Sequence, residues 1–563
     1  LVGEGWFFKT MKVAGTVLPH CYLSETAMLP TLTTLIRHAR QTSDPHPSAL
    51  PFTTLRDLVD ARATDSGLWL RYLHDGVQTD LRYDGFVHMV RRVSAALAST
   101  GLRPGERIAT IAHNHWQTVV VYAAAWYAGL AVVPVNIGED DDRIRYILTA
   151  AEVKWAFVLP EHRPRIEAMA PDLAIESELP ESDLPVPSVS IDGESDALIV
   201  YTSGTTGHPK GVTLTHANLL EDARAIAIWQ GIDVGTRMMC VLPIHHVNGT
   251  VVTLVTPFYV GASVVLCRKF HASSFFETVR DEGVHVVSVV PTLLQFLNHA
   301  HESEPSPETG LLRHIICGAG PLTVTVARTF EDRFGVRIIH GYGLSETTCY
   351  SCYLPVDLSA EDHRHWMRDH GYPSIGVAMP VNEMAIHDDQ GRPLGDGERG
   401  EIVIRGRNVM KEYDRNPEAN EKAFTYGWFR SGDEGFALSD PAGRRFYFIT
   451  GRIKELIIRG GVNLAPLEID EVINRAPGVK AGIAVGFEND WYGEEVGAYV
   501  QLADGAEPDP DAILAYCRGH LPFSKCPKVV VFGHQIPVTS TGKFQRMKVA
   551  HLFATWKHVQ FRL

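Results

Sequence analysis

No run of apolar residues in this chain approaches the roughly 18 to 20 needed to cross a bilayer. The mildly apolar stretch opening at Met11 is broken by Pro19 and His20 before a signal-peptide core can form. Basic charge is also short: 52 Lys and Arg stand against 66 Asp and Glu, a formal net charge of -14. That balance disfavours nonspecific binding to nucleic acid or an anionic membrane, so an anionic substrate must be drawn by local charge. Cysteine is sparse, 8 in 563 residues. This excludes a disulfide scaffold and fits a reducing, cytoplasmic setting. Cys349 and Cys352 form a lone CxxC without a second pair or a redox βαβ context and are read as incidental. His363, His365 and His370 in EDHRHWMRDH are read as a solvated helical or loop surface rather than a metal set. No internal repeat is found.

Strand-like and helix-like segments alternate from about residue 52, which predicts an α/β fold with much parallel sheet. Val119 to Tyr127 reads as a buried helix. Strands are expected at 131–135, 263–266, 285–290, 314–317 and 336–340, and several end in glycine- or hydroxyl-rich loops, where open α/β sheets bind ligands. Thr323 caps a helix that stops at Gly335, and Thr215 caps another. Polar, proline-bearing stretches at 41–51, 180–190, 301–310 and 504–511 read as surface connections. Shorter strands after Gly400 predict a β-rich subdomain, and the last hundred or so residues carry their own α+β pattern. The expected layout is an N-terminal extension (1–51), a large domain (52–453, its β-rich part about 381–453) and a small, mobile C-terminal domain (454–563), with the boundary at Lys454.

The most informative string runs from Tyr201 to Gly211. Its glycines, Gly204, Gly207 and Gly211, let backbone N–H groups turn inward, while Thr202, Ser203, Thr205 and Thr206 add neutral donors and Lys210 a movable positive charge. That chemistry suits a nucleoside triphosphate. It is not a P-loop, because Pro209 precedes the lysine and Gly211 follows it.

The string resembles the phosphate-binding signature of the adenylate-forming (AMP-binding) superfamily, of the acyl-CoA synthetase and aryl-CoA ligase type. Further strings match in chain order across roughly residues 50 to 546. The resemblance implies that Gly318, Ala319 and Gly320 line adenine. It implies that Gly341 and Gly343 belong to the nucleotide site, that Tyr342 between them takes the adenine face, that Ser345 bonds phosphate and that Glu346 holds Mg²⁺. Asp433, in Trp428 to Asp433, is implied to accept from the ribose hydroxyls, with Arg452 as its partner on ribose or phosphate. Lys543, near the chain's end, is implied to meet the reacting carboxylate and the α-phosphate. Gly460 and Gly461 resemble the loop lining the coenzyme A path. His246 resembles a gate beside the acyl carboxylate, with Asn248, Gly249 and Gly341 bordering the acyl pocket. Two histidines stand where relatives selecting amino acids place an aspartate, which disfavours an amino-acid substrate.

The activity so implied is ATP-dependent formation of an acyl adenylate followed by thioesterification with coenzyme A, releasing AMP. Lys543 and Gly461 must approach one carbonyl in different steps, so a rotation about Lys454 is expected. Transfer to a carrier-protein phosphopantetheine, a luciferase-like oxygenase and an enzyme of only one half-reaction stay open as alternatives. So do the identity of the acid, the oligomeric state, a homodimer included, and the role of residues 349–371. Neither nucleic acid nor membrane is expected as a partner.

Overall fold

The computed structural model describes residues 31–41, 50–186, 188–202, 209–301, 306–538 and 544–562. Among these, two large sheets form the body of the molecule. The first orders its strands Glu412–Tyr413, Lys210–Thr215, Asp196–Thr202, Ala131–Val135, Arg107–Ile111, Trp155–Val158 and Ala174–Glu176. The second runs Val377–Ala378, Cys352–Tyr353, Arg337–Tyr342, His314–Cys317, Val286–Val289, Arg237–Cys240, Ser263–Cys267, Leu68–His74 and Val77–Arg82. Their centres are parallel and their margins antiparallel, except that the edge strand Ala174–Glu176 pairs in parallel. The central strands are apolar, as two-sided burial requires, all five residues of Ala131–Val135 being buried, while the edge strand Val77–Arg82 is largely exposed.

The helix Trp116–Tyr127 joins the two sheets. It is buried from Thr118 to Tyr127, so it reads as apolar all round rather than striped. Its Trp126 indole N–H donates to Ala197 of one sheet (2.8 Å), and its Tyr122 hydroxyl donates to Ile244 beyond a strand of the other (3.0 Å). Thr215 caps His216–Gln230 in a reciprocal box with Asn218, and Thr323 caps Val324–Phe334. Each helix ends on a left-handed glycine, Gly231 and Gly335.

A four-stranded antiparallel sheet follows, with strands Asn382–His387, Gly400–Gly406, Phe429–Ser439 and Arg445–Arg452. The short turn Ile453–Glu455 leads from it to a last sheet backed by the helices Pro466–Ile473 and Pro510–His520. That last unit touches the body at the start of Val324–Phe334: the Thr325 hydroxyl (2.8 Å) and N–H (3.2 Å) both donate to the Glu471 carboxylate. Among the described residues, no helix is long and apolar enough to cross a membrane.

The stretch EDHRHWMRDH is a solvated helical surface on one side only: Glu361, Asp362, Arg364 and His365 are exposed, whereas His363 is buried. It lies in the helix Ala360–Arg368, which buries His363, Trp366 and Met367. His363 meets the Glu331 carboxylate at 2.6 Å, and Trp366 stacks on Phe446 at 3.8 Å. Burial follows from a period the charged residues mask, since His363, Trp366 and Met367 fall on one face. His301, expected in a surface connection, is also buried, and its ring packs on Phe276 and Phe334.

Candidate active site

A cavity of ≈ 120 Å³ opens where the second large sheet, the antiparallel sheet and the C-terminal unit meet. Ala319, Gly320, Gly341, Tyr342, Gly343, Asp433 and Arg452 line it from the body, and Glu455, Pro466, Phe544 and Arg546 close the far side. Asp433 sits within the strand Phe429–Ser439, cross-strand from Arg452, rather than on a loop. The Tyr342 hydroxyl donates to Asp433 Oδ2 at 2.5 Å. Arg452 Nε lies 2.8 Å from Oδ1 and is held firmly protonated, first of all by the Asp433 charge. That ion pair lacks hydrogen-bond alignment, so Oδ1, although buried, has no hydrogen-bond donor among the described residues. A buried carboxylate oxygen left so is an acceptor waiting for a ligand hydroxyl.

Glycine at positions 318 and 341 has a different physical reason from a flat ring approaching in front. A Cβ on Gly341 would lie 2.2 Å from the Tyr353 ring, and one on Gly318 would lie 2.5 Å from the Tyr350 hydroxyl. Two buried tyrosines behind the loops exclude side chains there. Gly343 is excluded by backbone, its Cβ position being 2.0 Å from the Cys349 carbonyl oxygen.

The phosphate string links two paired strands. Asp196–Thr202 runs in and Lys210–Thr215 returns antiparallel, pairing Thr202 with Lys210. Ser203, Gly204, Thr205, Thr206 and Gly207 lie outside the described residues. Lys210 Nζ stands 4.2 Å over the Tyr413 ring, and the Tyr413 hydroxyl donates to Glu346 Oε1 at 2.8 Å. Desolvation lowers the Lys210 pKa, with the Glu346 charge opposing it. Burial, reinforced by Glu346, pushes the Tyr413 phenol up, so it stays a donor. Tyr413 therefore couples the lysine to the carboxylate, and sequence reasoning missed it. Its only signal is an aromatic residue on a two-residue edge strand paired with the hairpin's return. Glu346 and Ser345 share the turn Ser345–Thr347, tied by the Met410 N–H to the Glu346 carbonyl (2.8 Å).

Lys543 also lies outside the described residues, but both ends of its loop are fixed. Val538 bridges to Phe544, and the Gln545 N–H donates to Pro537 (2.9 Å). Arg546, buried and also missed in the sequence, pairs with Asp470 and donates to the Ala484 carbonyl (2.9 Å). Phe544 faces the nucleotide-side cavity. Gly460 and Gly461 are exposed, at φ +58° and +81°, and do not line it. Lys454 is exposed in the Ile453–Glu455 turn.

On the acyl side, His246 packs against His245, ring centroids 4.4 Å apart, and burial drives the His245 pKa well down. Asn248 and Gly249 open the wide helical turn Asn248–Val255. Gly249 borders no open space: a Cβ there would lie 2.3 Å from the Pro243 carbonyl oxygen. Asn248 reaches the Tyr350 hydroxyl (3.1 Å) and accepts from Ser288 (2.7 Å). Cys349 and Cys352 are buried free thiols with pKa raised by desolvation, which leaves them inert. Among the described residues, the group of three whose ligand atoms lie close enough to hold a metal ion is His113, His162 and Glu161, where Arg268 already holds the acid at 3.0 Å.

A family model described as AMP-binding enzyme matches residues 61–414, and one described as AMP-binding enzyme C-terminal domain matches 468–543. A sulfoacetate–CoA ligase from Cupriavidus necator is 34% identical over 468 residues, covering 80% of this chain and 88% of its own. A feruloyl-CoA synthase from Amycolatopsis is 30% identical, covering 84% and 94%. Among solved structures, ATP-bound MatB from Rhodopseudomonas palustris superposes with a TM-score of 0.80 at 27% identity, covering 89% of this chain and 98% of that one. An o-succinylbenzoate CoA synthetase from Bacillus subtilis, bound to its acyl adenylate, superposes at 0.77 and 25% identity, covering 88% and 98%.

Proposed function

The chain belongs to the AMP-binding enzyme family and is an acid–CoA ligase, and from that premise we propose which of its residues carry the two steps. A carboxylic acid attacks the α-phosphorus of ATP to give an acyl adenylate and pyrophosphate. The thiol of coenzyme A then displaces AMP to give the thioester. The single observation that carries the residue assignment is the Asp433 carboxylate in the cavity wall, whose Oδ1 is ion-paired with Arg452 yet has no hydrogen-bond donor among the described residues and can accept from ribose hydroxyls.

The first step brings an anion to a polyanion, so positive charge must be in place before attack. Lys210 supplies it on the β- and γ-phosphate side, held by the Tyr413 ring and assisted by the hydroxyls and N–H groups of residues 202–207. Lys543 supplies it at the carboxylate and α-phosphate. Glu346 fits Mg²⁺: its Oε1 is oriented by Tyr413, leaving Oε2 as a hard oxygen ligand of the kind this ion prefers. When bound, Mg²⁺ would neutralise phosphate charge there. Ser345 adds a phosphate donor, and Gly318 to Gly320 with Tyr342 flank the adenine. His246 borders the acid carboxylate.

In this arrangement Phe544 and Arg546, which follow Lys543 in the chain, line the nucleotide cavity while Gly460 and Gly461 face solvent. That supports assigning Lys543 to adenylation. Thioesterification then requires the unit from 454 to 563 to rotate about Lys454 against the body, 52–453, bringing Gly461 to the carbonyl. The sparse buried thiols support a cytoplasmic setting. Glu346→Gln tests the assignment: pyrophosphate exchange should fall by about 10²- to 10³-fold, as for loss of one preorganised electrostatic group. An unchanged rate would remove Glu346 from the site.

A further inference from the structure

We propose that His113, His162 and Glu161 form a binding site for one divalent transition-metal ion of the zinc class, separate from the Mg²⁺ position at Glu346.

The sheet backbone sets the site. Arg107–Ile111 and Trp155–Val158 are adjacent parallel strands, with Ile111 paired to Val158. His113 follows the first strand by two residues, and His162 closes the turn Pro160–His162 that follows the second. Both histidines therefore stand at the same end of the sheet, where open α/β sheets hold ligands. The turn is tied back, the Leu159 N–H donating to Ile111 (3.4 Å) and the His162 N–H to Leu159 (2.9 Å). Beside His113, the Asn114 amide donates to the Leu242 and Cys267 carbonyls (3.0 Å each) and accepts from the Ile244 N–H (2.9 Å).

The two Nε2 atoms lie 3.1 Å apart. Imidazole nitrogens sharing one zinc ion, each at about 2.0–2.1 Å and at roughly 90–110° to one another, stand about 2.8–3.4 Å apart. The ring centroids are 5.0 Å apart. Rings in line along a straight hydrogen bond of the same length would be about 5.4 Å apart, whereas two ligands of one ion come to about 4.9 Å. The rings are thus bent out of line, as convergence on one ion requires. A Glu161 carboxylate oxygen lies within 4.8 Å of both nitrogens and supplies a third ligand.

Arg268 bonds Glu161 Oε1 at 3.0 Å, but a carboxylate accepts at about four positions, so that contact leaves it able to bind an ion. Each neutral imidazole carries one ring proton, and with that proton on Nδ1 both Nε2 atoms offer lone pairs. Two imidazoles and one carboxylate suit zinc and its neighbours rather than Mg²⁺, which wants oxygen, and they leave a fourth position for water. All three side chains are at least partly exposed, so an ion can reach them. Arg268 is the opposing charge.

The test titrates the tag-free full chain, without nucleotide, with Zn²⁺ by calorimetry and with Co²⁺ by visible absorption. One ion should bind per chain, raise the melting temperature by mass action and resist displacement by millimolar Mg²⁺. His113→Ala and His162→Ala should each weaken binding by at least about 10-fold, since losing even an outer partner of a metal ligand costs that much. Arg268→Gln, which removes a like charge, should tighten it. Melts without metal identify any variant that fails to fold, and the wild-type titration together with Glu161→Gln, at an exposed position, then decides, with the same direction of loss expected. No saturable binding by the wild type, unchanged affinity in the folded variants of the three ligands, or displacement by Mg²⁺ would overturn the proposal.

Discussion

Single side chains in this protein carry charge states that only their surroundings explain. Asp222 is fully buried, one oxygen accepting from Asn408 and the other without a partner, and desolvation pushes its pKa up to about 8. A carboxyl that keeps its proton to a higher pH in the folded than in the unfolded chain stabilises below its unfolded pKa, near 4, and loses that contribution as pH rises towards 8. Asp222→Asn should therefore raise stability at pH 8 by on the order of 1 kcal/mol or more and flatten its pH dependence between 4 and 8, read as urea midpoints. Arg546 presents the opposite case, a buried cation whose partner is essential. Asp470→Asn should destabilise by about 3 kcal/mol in chemical denaturation, because it strips the charge partner from a buried guanidinium.

At the level of elements, the sequence was readable wherever a local rule was decisive. Thr215, Thr323 and Gly335 mark helix ends because capping needs a hydroxyl or a left-handed residue at one position, and they lie where those rules put them. The α/β class follows from alternation, and the parallel sheets bear it out. Adjacency across the fold was not readable. Tyr413 joins Lys210 to Glu346 from a two-residue strand about 67 positions beyond the carboxylate, with no motif around it. The segment 349–371 is polar and aromatic and fits no motif, yet Tyr350 and Tyr353 are core residues packed behind Gly318 and Gly341. Gly249 shows how tightly that region is set. Gly249→Ala should cost about 1–3 kcal/mol by overpacking against the Pro243 carbonyl, measurable as a lower melting temperature.

The whole molecule must serve two reactions at one carbonyl, and the variants that separate them belong to this scale. Lys543→Ala should lose about 10²-fold or more in adenylate formation while still converting a synthetic acyl adenylate to thioester. Gly461→Leu should do the reverse, measured as pyrophosphate exchange set beside thioester release. Equal loss of both reactions in either variant would contradict the division of labour.

The Thr325–Glu471 contact would couple the proposed rotation to a proton. In the docked arrangement burial raises the Glu471 pKa, against hydrogen bonds from Thr325 and the nearby Arg475 charge, which pull it down. A group that binds its proton more tightly when docked must release it when the units part, so alkalinity favours separation and acidity favours contact. The population poised for the first reaction should then shrink as pH rises, and Glu471→Gln should remove that dependence from the distance between fluorophores on the two units. Under the proposed rotation, one carboxylate at the seam would make hydrogen-ion activity a setting on which half of the catalytic cycle the enzyme occupies.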